Sequence, residues 1–321
     1  MKKHVYILSI LLLALKIDAQ EVVGVSPWGP NDEIGTLNMM TEISRLQILS
    51  RISGGRSYDL SVEYFVGMPS FSALGDPGYQ FWLTHSPKGT LVDNPNGLGS
   101  VMNGKVSYTG DAISMYTHMG THIDALNHFG LNGQIWNGFK PEEHLGDKGW
   151  KKTGAEKIPA IIARGVLIDI VESKGGKLKP NYRITSADLK EALRQQNTSL
   201  EPGDVVLIRT GQAKLYENTS AYLDRYPGIS LDAVKWLVED QKIMLLGADN
   251  LSLEAFPSER EDNWVPVHTY LLAEKGMMFI EQMNLESLSM DQVYEFAFIA
   301  ASLKLRGASA APMRPIALPI K

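Results

Sequence analysis

The sequence predicts one layered α/β domain, because strand-like apolar runs alternate with capped helical stretches and neither a repeat nor a low-complexity linker divides the chain. Most of the runs are bounded by Gly, Pro or charged residues, as buried strands usually are. Length agrees with this interpretation, since about 300 residues can bury a substantial core. The predicted strands are Ala160 to Asp169, Val205 to Arg209, Ile243 to Leu246, Met277 to Ile280 and Phe296 to Leu303.

Helices are predicted between several of these strands from their capping residues. A hydroxyl or carboxylate that precedes an apolar stripe satisfies the free N–H groups of the first helical turn. The predicted caps are Thr41, Thr185 with Asp188 before Leu189 to Gln195, Ser230 before Leu231 to Asp240, and Ser289 with Gln292.

The stretch HMGTHIDALNH, from His118 to His128, concentrates three histidines and one aspartate in eleven residues. A single helix would split them between two faces, whereas an extended segment points alternate residues the same way. We therefore predict that His118, His122 and Asp124 converge on an extended or bent path. The bend is expected at Gly120, and His128 is expected after a turn into a helix.

The chemistry of this group is that of a metal site. Two neutral imidazoles and a carboxylate suit a borderline divalent ion such as zinc or manganese, and iron is a further alternative. They leave coordination positions open for water. A lone histidine would not support this interpretation, but four groups at this spacing do.

The same stretch resembles the signature HxGTHxDxxxH of the cyclase family of metal-dependent hydrolases, which includes bacterial kynurenine formamidases and isatin hydrolases. The resemblance continues along the chain through the stretches Trp28 to Asn38, Gly203 to Gly211, Gly247 to Asn250 and Val267 to Leu285. It implies a swivelling β/α/β fold, in which a mixed central sheet is flanked by helices within a single domain.

The family pattern also implies roles for individual residues. It makes His118, His122 and Asp124 metal ligands and His128 the acid/base residue. His268 and Glu281 are similar to the pair that completes a second metal site in two-zinc formamidases. We thus expect one divalent ion, zinc or manganese, with a second ion if His268 and Glu281 also bind metal.

Residues 1–20 are predicted to be a secretory signal, and residues 21–321 the hydrolase domain. Lys2 and Lys3 precede an apolar run from Val5 to Leu15 that is too short to span a bilayer, and Ala19 and Gln20 follow at a plausible cleavage point. We expect a secreted protein, periplasmic in a cell with two membranes and free of the membrane after cleavage. The absence of cysteine excludes disulfides, thiolate ligands and a cysteine lipid anchor.

Charge and missing motifs exclude other classes. Removal of residues 1–20 takes away three lysines and one aspartate, so the net charge moves from −5 to −7. This acidic balance argues against a nucleic-acid partner. No GxSxG elbow or phosphate-binding glycine loop is present.

Hydrolysis of a small aromatic amide is the leading functional prediction. Water activated by the ion would attack the carbonyl, and His128 would pass a proton to the leaving nitrogen. An N-formylkynurenine-like formamide is favoured over the opening of a cyclic amide (lactam), as in isatin hydrolases. An exported metal-binding or ligand-binding protein without catalysis is the alternative from another class.

The substrate pocket is predicted from an aromatic segment ahead of the motif. Rings there could line a pocket for a flat substrate or pack in the core. The candidates for substrate contact are Phe71, Phe81, Trp82 and His85. The family resemblance also implies a homo-oligomer, a dimer or a tetramer.

Overall fold

The computed structural model describes residues 22–321, which form fifteen strands. Nine belong to the central sheet, and the other six form three two-stranded pairs. The strands are β1 (Tyr58–Asp59), β2 (Gln80–His85), β3 (Gly110–Ser114), β4 (His122–Asp124), β5 (Leu145–Gly146), β6 (Gly149–Trp150), β7 (Ile161–Asp169), β8 (Arg183–Ile184), β9 (Val205–Arg209), β10 (Gly228–Ile229), β11 (Leu245–Ala248), β12 (Phe279–Glu281), β13 (Glu295–Ala300), β14 (Ala310–Pro312) and β15 (Ile316–Pro319).

The central sheet is mixed, with strand order β1-β15-β13-β7-β9-β11-β12-β4-β14. Strands β7, β9, β11 and β12 are parallel, whereas the strands outside them pair antiparallel. The parallel strands are almost wholly buried, as expected for strands that are covered on both faces. Strand β4 pairs with β12, with His122 opposite Glu281. This register brings two parts of the chain, 159 positions apart, to one place.

Helices flank the sheet. The α-helices are α1 (Glu42–Ser50), α2 (Pro87–Asp93), α3 (Gly99–Lys105), α4 (Pro141–His144), α5 (Ile170–Ser173), α6 (Ser186–Gln196), α7 (Thr219–Leu223), α8 (Leu231–Lys235), α9 (Pro266–His268) and α10 (Glu286–Met290). Short 3₁₀ turns cover Gly35–Met39, Ser72–Leu74, Trp136–Gly138, Ala155–Lys157 and Gln212–Leu215, and π-helical turns cover Trp236–Asp240 and Thr269–Glu274.

The predicted fold class is confirmed: a mixed central sheet is flanked by helices in one α/β domain. All five predicted strands are present, and the one at 205–209 has the predicted bounds. The caps at Thr41, Thr185 and Ser230 are also confirmed. The cap at Ser289 is wrong, because α10 begins at Glu286 after the N-cap Leu285, and Ser289 lies inside the helix.

Residues 79–114 form a substructure that we call the arm. Strands β2 and β3 pair with each other, and α2 and α3 lie between them in the chain. All six residues of β2 are exposed, and Val101 on α3 is 85% exposed. The arm therefore presents apolar side chains to solvent rather than to the core.

The predicted signal at residues 1–20 lies outside the described residues. Among residues 22–321, no helix combines the length and the apolar character that crossing a bilayer requires.

Candidate metal centre

The motif is bent at Gly120 and extended only after it. Gly120 has φ of +60°, and a Cβ atom there would lie 2.4 Å from the ring of Tyr64. Only glycine tolerates both the left-handed backbone and this close approach. Strand β4 begins at His122, so the predicted extended path is confirmed for His122–Asp124 and is replaced by a turn before it.

His118, His122 and Asp124 come together as predicted. His118 Nδ1 lies 2.7 Å from Asp124 Oδ1, and His122 Nε2 lies 3.3 Å from the same oxygen. All three residues are buried. The Nδ1 atom of His122 donates to the carbonyl oxygen of Gly120 at 2.8 Å, which leaves Nε2 free to bind a cation. Together they form a group of three candidate ligands.

His268 and Glu281 lie beside this group. Glu281 Oε2 is 3.5 Å from His122 Nε2, and Glu281 Oε1 is 3.5 Å from His268 Nε2. The other ring nitrogen of His268 is 3.0 Å from Glu254 Oε1, which also accepts the backbone N–H of His268. Both His122 and His268 therefore have Nδ1 held by an oxygen acceptor and direct Nε2 towards Glu281.

His128 stands at the edge of the group. Its Nε2 atom is 3.5 Å from Asp124 Oδ2, and its side chain keeps 19% exposure. Asp124, His128 and His268 also form a set that could hold an ion. The predicted helix at His128 is wrong, because the chain forms only turns from 126 to 129 and the N–H of His128 bonds to Ala125 O.

The electrostatics of the group favour added positive charge. Burial opposes protonation of His122, but the neighbouring oxygens of Asp124 and Glu281 raise its pKa to about 10. Burial works against ionisation of Asp124, yet His118 and His128 hold the pKa of that carboxyl well below its usual range. Burial and the neighbouring histidines lower the pKa of His128, although Asp124 opposes them. His128 is therefore neutral near pH 7.

Unpartnered polar atoms provide a test of whether these residues fit a metal ion. His122 Nε2, Asp124 Oδ2 and Glu281 Oε1 are buried and have no hydrogen-bond partner. Buried polar atoms are normally satisfied, so a cluster of exceptions calls for an additional group between them. Imidazole and carboxylate atoms are the ligands that zinc and manganese accept. The residues present thus fit a divalent ion.

A cavity of about 80 Å³ opens on this cluster, and we call it the inner cavity. Its wall contains His118, His128, His268 and Glu281 together with mostly apolar residues. Phe71, one of the predicted substrate contacts, lines the inner cavity.

The other three predicted substrate contacts are absent from the wall of this cavity. Phe81 and Trp82 are 48% and 47% exposed on β2, and His85 packs on Tyr108 in the arm. The physical reason is that Gly75 and Gly78, with Pro77 between them, end the segment at the site before the chain enters the arm.

Two supporting residues were not predicted from the sequence. Glu254 fixes His268, and Ser309 Oγ lies 2.8 Å from His118 Nε2. Both lie far along the chain from the motif and carry no local pattern. Asp249 is another buried carboxylate, but it accepts hydrogen bonds from Thr210 and Gly211 and holds none of the histidines.

The model of the Cyclase family matches residues 58–255, more than half of the chain. The chain therefore belongs to the cyclase family, as its resemblance to the signature from His118 to His128 predicts.

Named relatives span most of the chain at low identity. Cyclase-like protein 3 of Oryza sativa subsp. japonica is 26% identical over 82% of this chain and 80% of its own length. Cyclase-like protein 1 of Arabidopsis thaliana is 24% identical over 82% and 85%.

Solved structures share the fold. A structure described as a novel cyclase covers 93% of this chain and 100% of its own, with a TM-score of 0.81 and 29% identity. Isatin hydrolase A from Ralstonia solanacearum covers 82% of this chain and 92% of its own, with a TM-score of 0.61 and 20% identity. A predicted metal-dependent hydrolase from Bacillus stearothermophilus has a TM-score of 0.53 at 22% identity, covering 83% and 98%.

Proposed function

We propose that the protein is a metal-dependent hydrolase of a small aromatic amide, with an N-formylkynurenine-like formamide as the leading substrate. One observation carries this proposal: the buried cluster has unpartnered atoms on His122, Asp124 and Glu281, and it opens at Glu281 on a cavity lined by apolar side chains such as Phe129 and Trp264. Polar groups that converge in a mostly apolar pocket are typical of a small-molecule site.

His118, His122 and Asp124 would hold the ion. A bound zinc or manganese ion lowers the pKa of water and polarises a carbonyl oxygen. His118 has both ring nitrogens in hydrogen bonds, to Asp124 and Ser309, so it must release one of them to become a ligand. His268 and Glu281, which face the same space, would hold a second ion.

His128 is assigned the proton transfer. Its low pKa keeps the imidazole neutral, so that it can accept a proton from the attacking water. The same atom can then donate this proton to the leaving nitrogen. Its partial exposure at the cavity wall gives it access to a substrate, in contrast to the fully buried His122.

Opening of a cyclic amide is the second candidate. The specific observation in its favour is the shared fold with isatin hydrolases, one of which is described in complex with the product analogue thioisatinate. Their identity of about 20% supports the fold and leaves the substrate to experiment.

The decisive experiment measures ultraviolet absorbance during hydrolysis of N-formylkynurenine and of isatin. The purified protein is stripped with a chelator and then reloaded with zinc or manganese. We expect metal-restored cleavage of N-formylkynurenine, whereas cleavage of isatin alone would select the lactam reaction. Protein that binds the ion and cleaves neither compound would contradict both assignments and favour a non-catalytic binding protein.

We also propose that the arm pairs with a second copy of the chain. Its exposed apolar residues include Phe81, Trp82 and Val101, and such surfaces on soluble proteins mark contacts. The arm carries two lysines and two aspartates and no other ionised side chains, so both signs are present on it. A surface that carries both signs can be self-complementary across a twofold axis.

A further inference from the structure

The inner cavity is too small to enclose the substrate that the proposed function requires. Its volume is about 80 Å³. A cavity that encloses benzene measures about 150 Å³. An aromatic amide whose carbonyl approaches His128 and the ligands must therefore place part of its body elsewhere.

A second cavity lies directly behind the wall of the first. It measures about 550 Å³, and we call it the outer groove. Phe71, Leu251 and Phe256 line both cavities, so these three side chains form the partition between them. Leu223 and Tyr226 also line the groove, and the ring of Tyr226 packs on Phe256 with the ring centroids 6.2 Å apart.

The partition is made of side chains that leave room to adjust. Phe71 and Phe256 are only partly buried, whereas Leu251 is 6% exposed. Both rings pack at the edge of one apolar cluster, and a change of rotamer of either ring would alter the partition between the two cavities. One hydrogen bond joins the two linings, because Tyr226 Oη of the groove lies 2.9 Å from Ser252 Oγ, which lines the inner cavity.

We propose that the outer groove is a binding subsite for an apolar portion of the substrate. This portion would extend from the candidate metal ligands into the groove, between Phe71, Leu251 and Phe256. This inference rests on the proposed function and specifies the length of the substrate that the site prefers. The substrate class is an aromatic amide too long for the inner cavity alone, and compounds with an apolar body beyond the first ring should bind more tightly than single-ring ones such as N-formylkynurenine. The reacting group occupies the inner cavity, and the groove supplies most of the contact area.

Binding of two carboxylates tests the subsite without turnover. Benzoate and 4-biphenylcarboxylate carry the same head group, and only the second is long enough to enter the groove. We expect calorimetry on the zinc-loaded protein to show affinity for 4-biphenylcarboxylate at least about tenfold higher, because an added buried ring removes further apolar surface from water.

Two substitutions at Leu223 test whether the higher affinity for 4-biphenylcarboxylate comes from the outer groove. Leu223→Ala removes apolar contact from the groove, and Leu223→Trp fills the groove. We expect each to lower the affinity for 4-biphenylcarboxylate about tenfold. The affinity for benzoate should stay within about twofold, because Leu223 does not line the inner cavity. Leu46→Ala is the matched control, since Leu46 is exposed on α1 and lines neither cavity.

The result that would overturn the subsite is equal affinity for the two ligands, absence of 4-biphenylcarboxylate binding, or an equal effect of the Leu223 variants on both. Hydrolysis of formanilide and of its 4-phenyl derivative separates this failure from that of the proposed function. Cleavage of both with no difference in affinity would keep the hydrolase and discard the subsite. A difference in affinity without cleavage of these two compounds, of N-formylkynurenine or of isatin would keep the subsite and discard the hydrolase.

Discussion

The ligand cluster and the arm are adjacent in sequence and opposite in character. The cluster buries charged and polar side chains such as Asp124 and His122, whereas the arm exposes apolar ones such as Trp82. Burial of ionisable groups costs free energy unless they are paired or bind metal, and exposure of large apolar groups forgoes the gain of burying them. Each region thus carries an unfavourable arrangement that a ligand or a partner would relieve. The proposed partners differ in kind, since we propose a cation for the cluster and another protein surface for the arm.

Removal of a central ligand should break the cluster most severely. We expect His122→Ala to abolish both metal binding and activity, because Nε2 of His122 faces both Asp124 and Glu281. The metal content of the dialysed protein and hydrolysis of N-formylkynurenine measure the two effects. His144→Ala, which changes a histidine outside the cluster, is the control. Normal metal content in His122→Ala would show that the ion binds elsewhere.

The His128→Ala variant should separate chemistry from metal binding. We expect the metal content to be retained and kcat to fall by about 10²- to 10⁴-fold, the usual contribution of a general acid/base residue. Loss of the metal together with activity would instead make His128 a ligand, as its grouping with Asp124 and His268 allows. Unchanged kcat would remove His128 from the reaction.

Asp249 provides a buried carboxylate outside the cluster for comparison with Asp124. Burial raises the pKa of Asp249 to about 6 although Thr210 donates hydrogen bonds to it, whereas histidines lower that of Asp124. Between about pH 4 and 6 the Asp249 carboxyl keeps its proton in the folded state and loses it in the unfolded chain. The free energy of unfolding should therefore fall by roughly 3 kcal/mol as pH rises through this range.

The Asp249→Asn variant should lack this contribution. Urea unfolding at pH 4 and pH 7 gives the free energy of unfolding of the wild type and of the variant. The difference between the two proteins should change by this contribution from one pH to the other. Parallel pH dependences of the two proteins would show that Asp249 is ionised throughout.

The contrast also explains what the sequence predicts well. The motif from His118 to His128 is local, so its spacing predicts that His118, His122 and Asp124 converge, and consecutive buried residues predict β7 and β9. Contacts between distant segments have no local pattern. Glu254 reaches His268 because the fold places them together, and Phe81 and Trp82 point away from the site because the chain turns into the arm.

Glu254 is expected to hold His268 in position to bind the second ion. A carboxylate that orients a ligating histidine typically contributes 10- to 100-fold to metal affinity, so we expect about this loss in Glu254→Gln. The loss should appear in the second ion bound, because Glu254 contacts His268 and none of the motif residues. Titration of the stripped protein with zinc measures the two affinities. An equal loss at both sites would indicate general disruption, and an unchanged second affinity would show that His268 needs no such support.

Replacement of an exposed ring in the arm should weaken self-association and leave metal binding unchanged. Trp82→Ser replaces a half-exposed ring, and we expect it to raise the dissociation constant of the oligomer about tenfold. The metal content should not change, because Trp82 lies outside the cluster and outside the inner cavity. Analytical ultracentrifugation over a concentration series measures the association. The control is Leu303→Ser, which changes an exposed apolar residue outside the arm. A monomeric wild type, or equal association of all three proteins, would remove the arm from self-association and leave its apolar surface to a different protein partner.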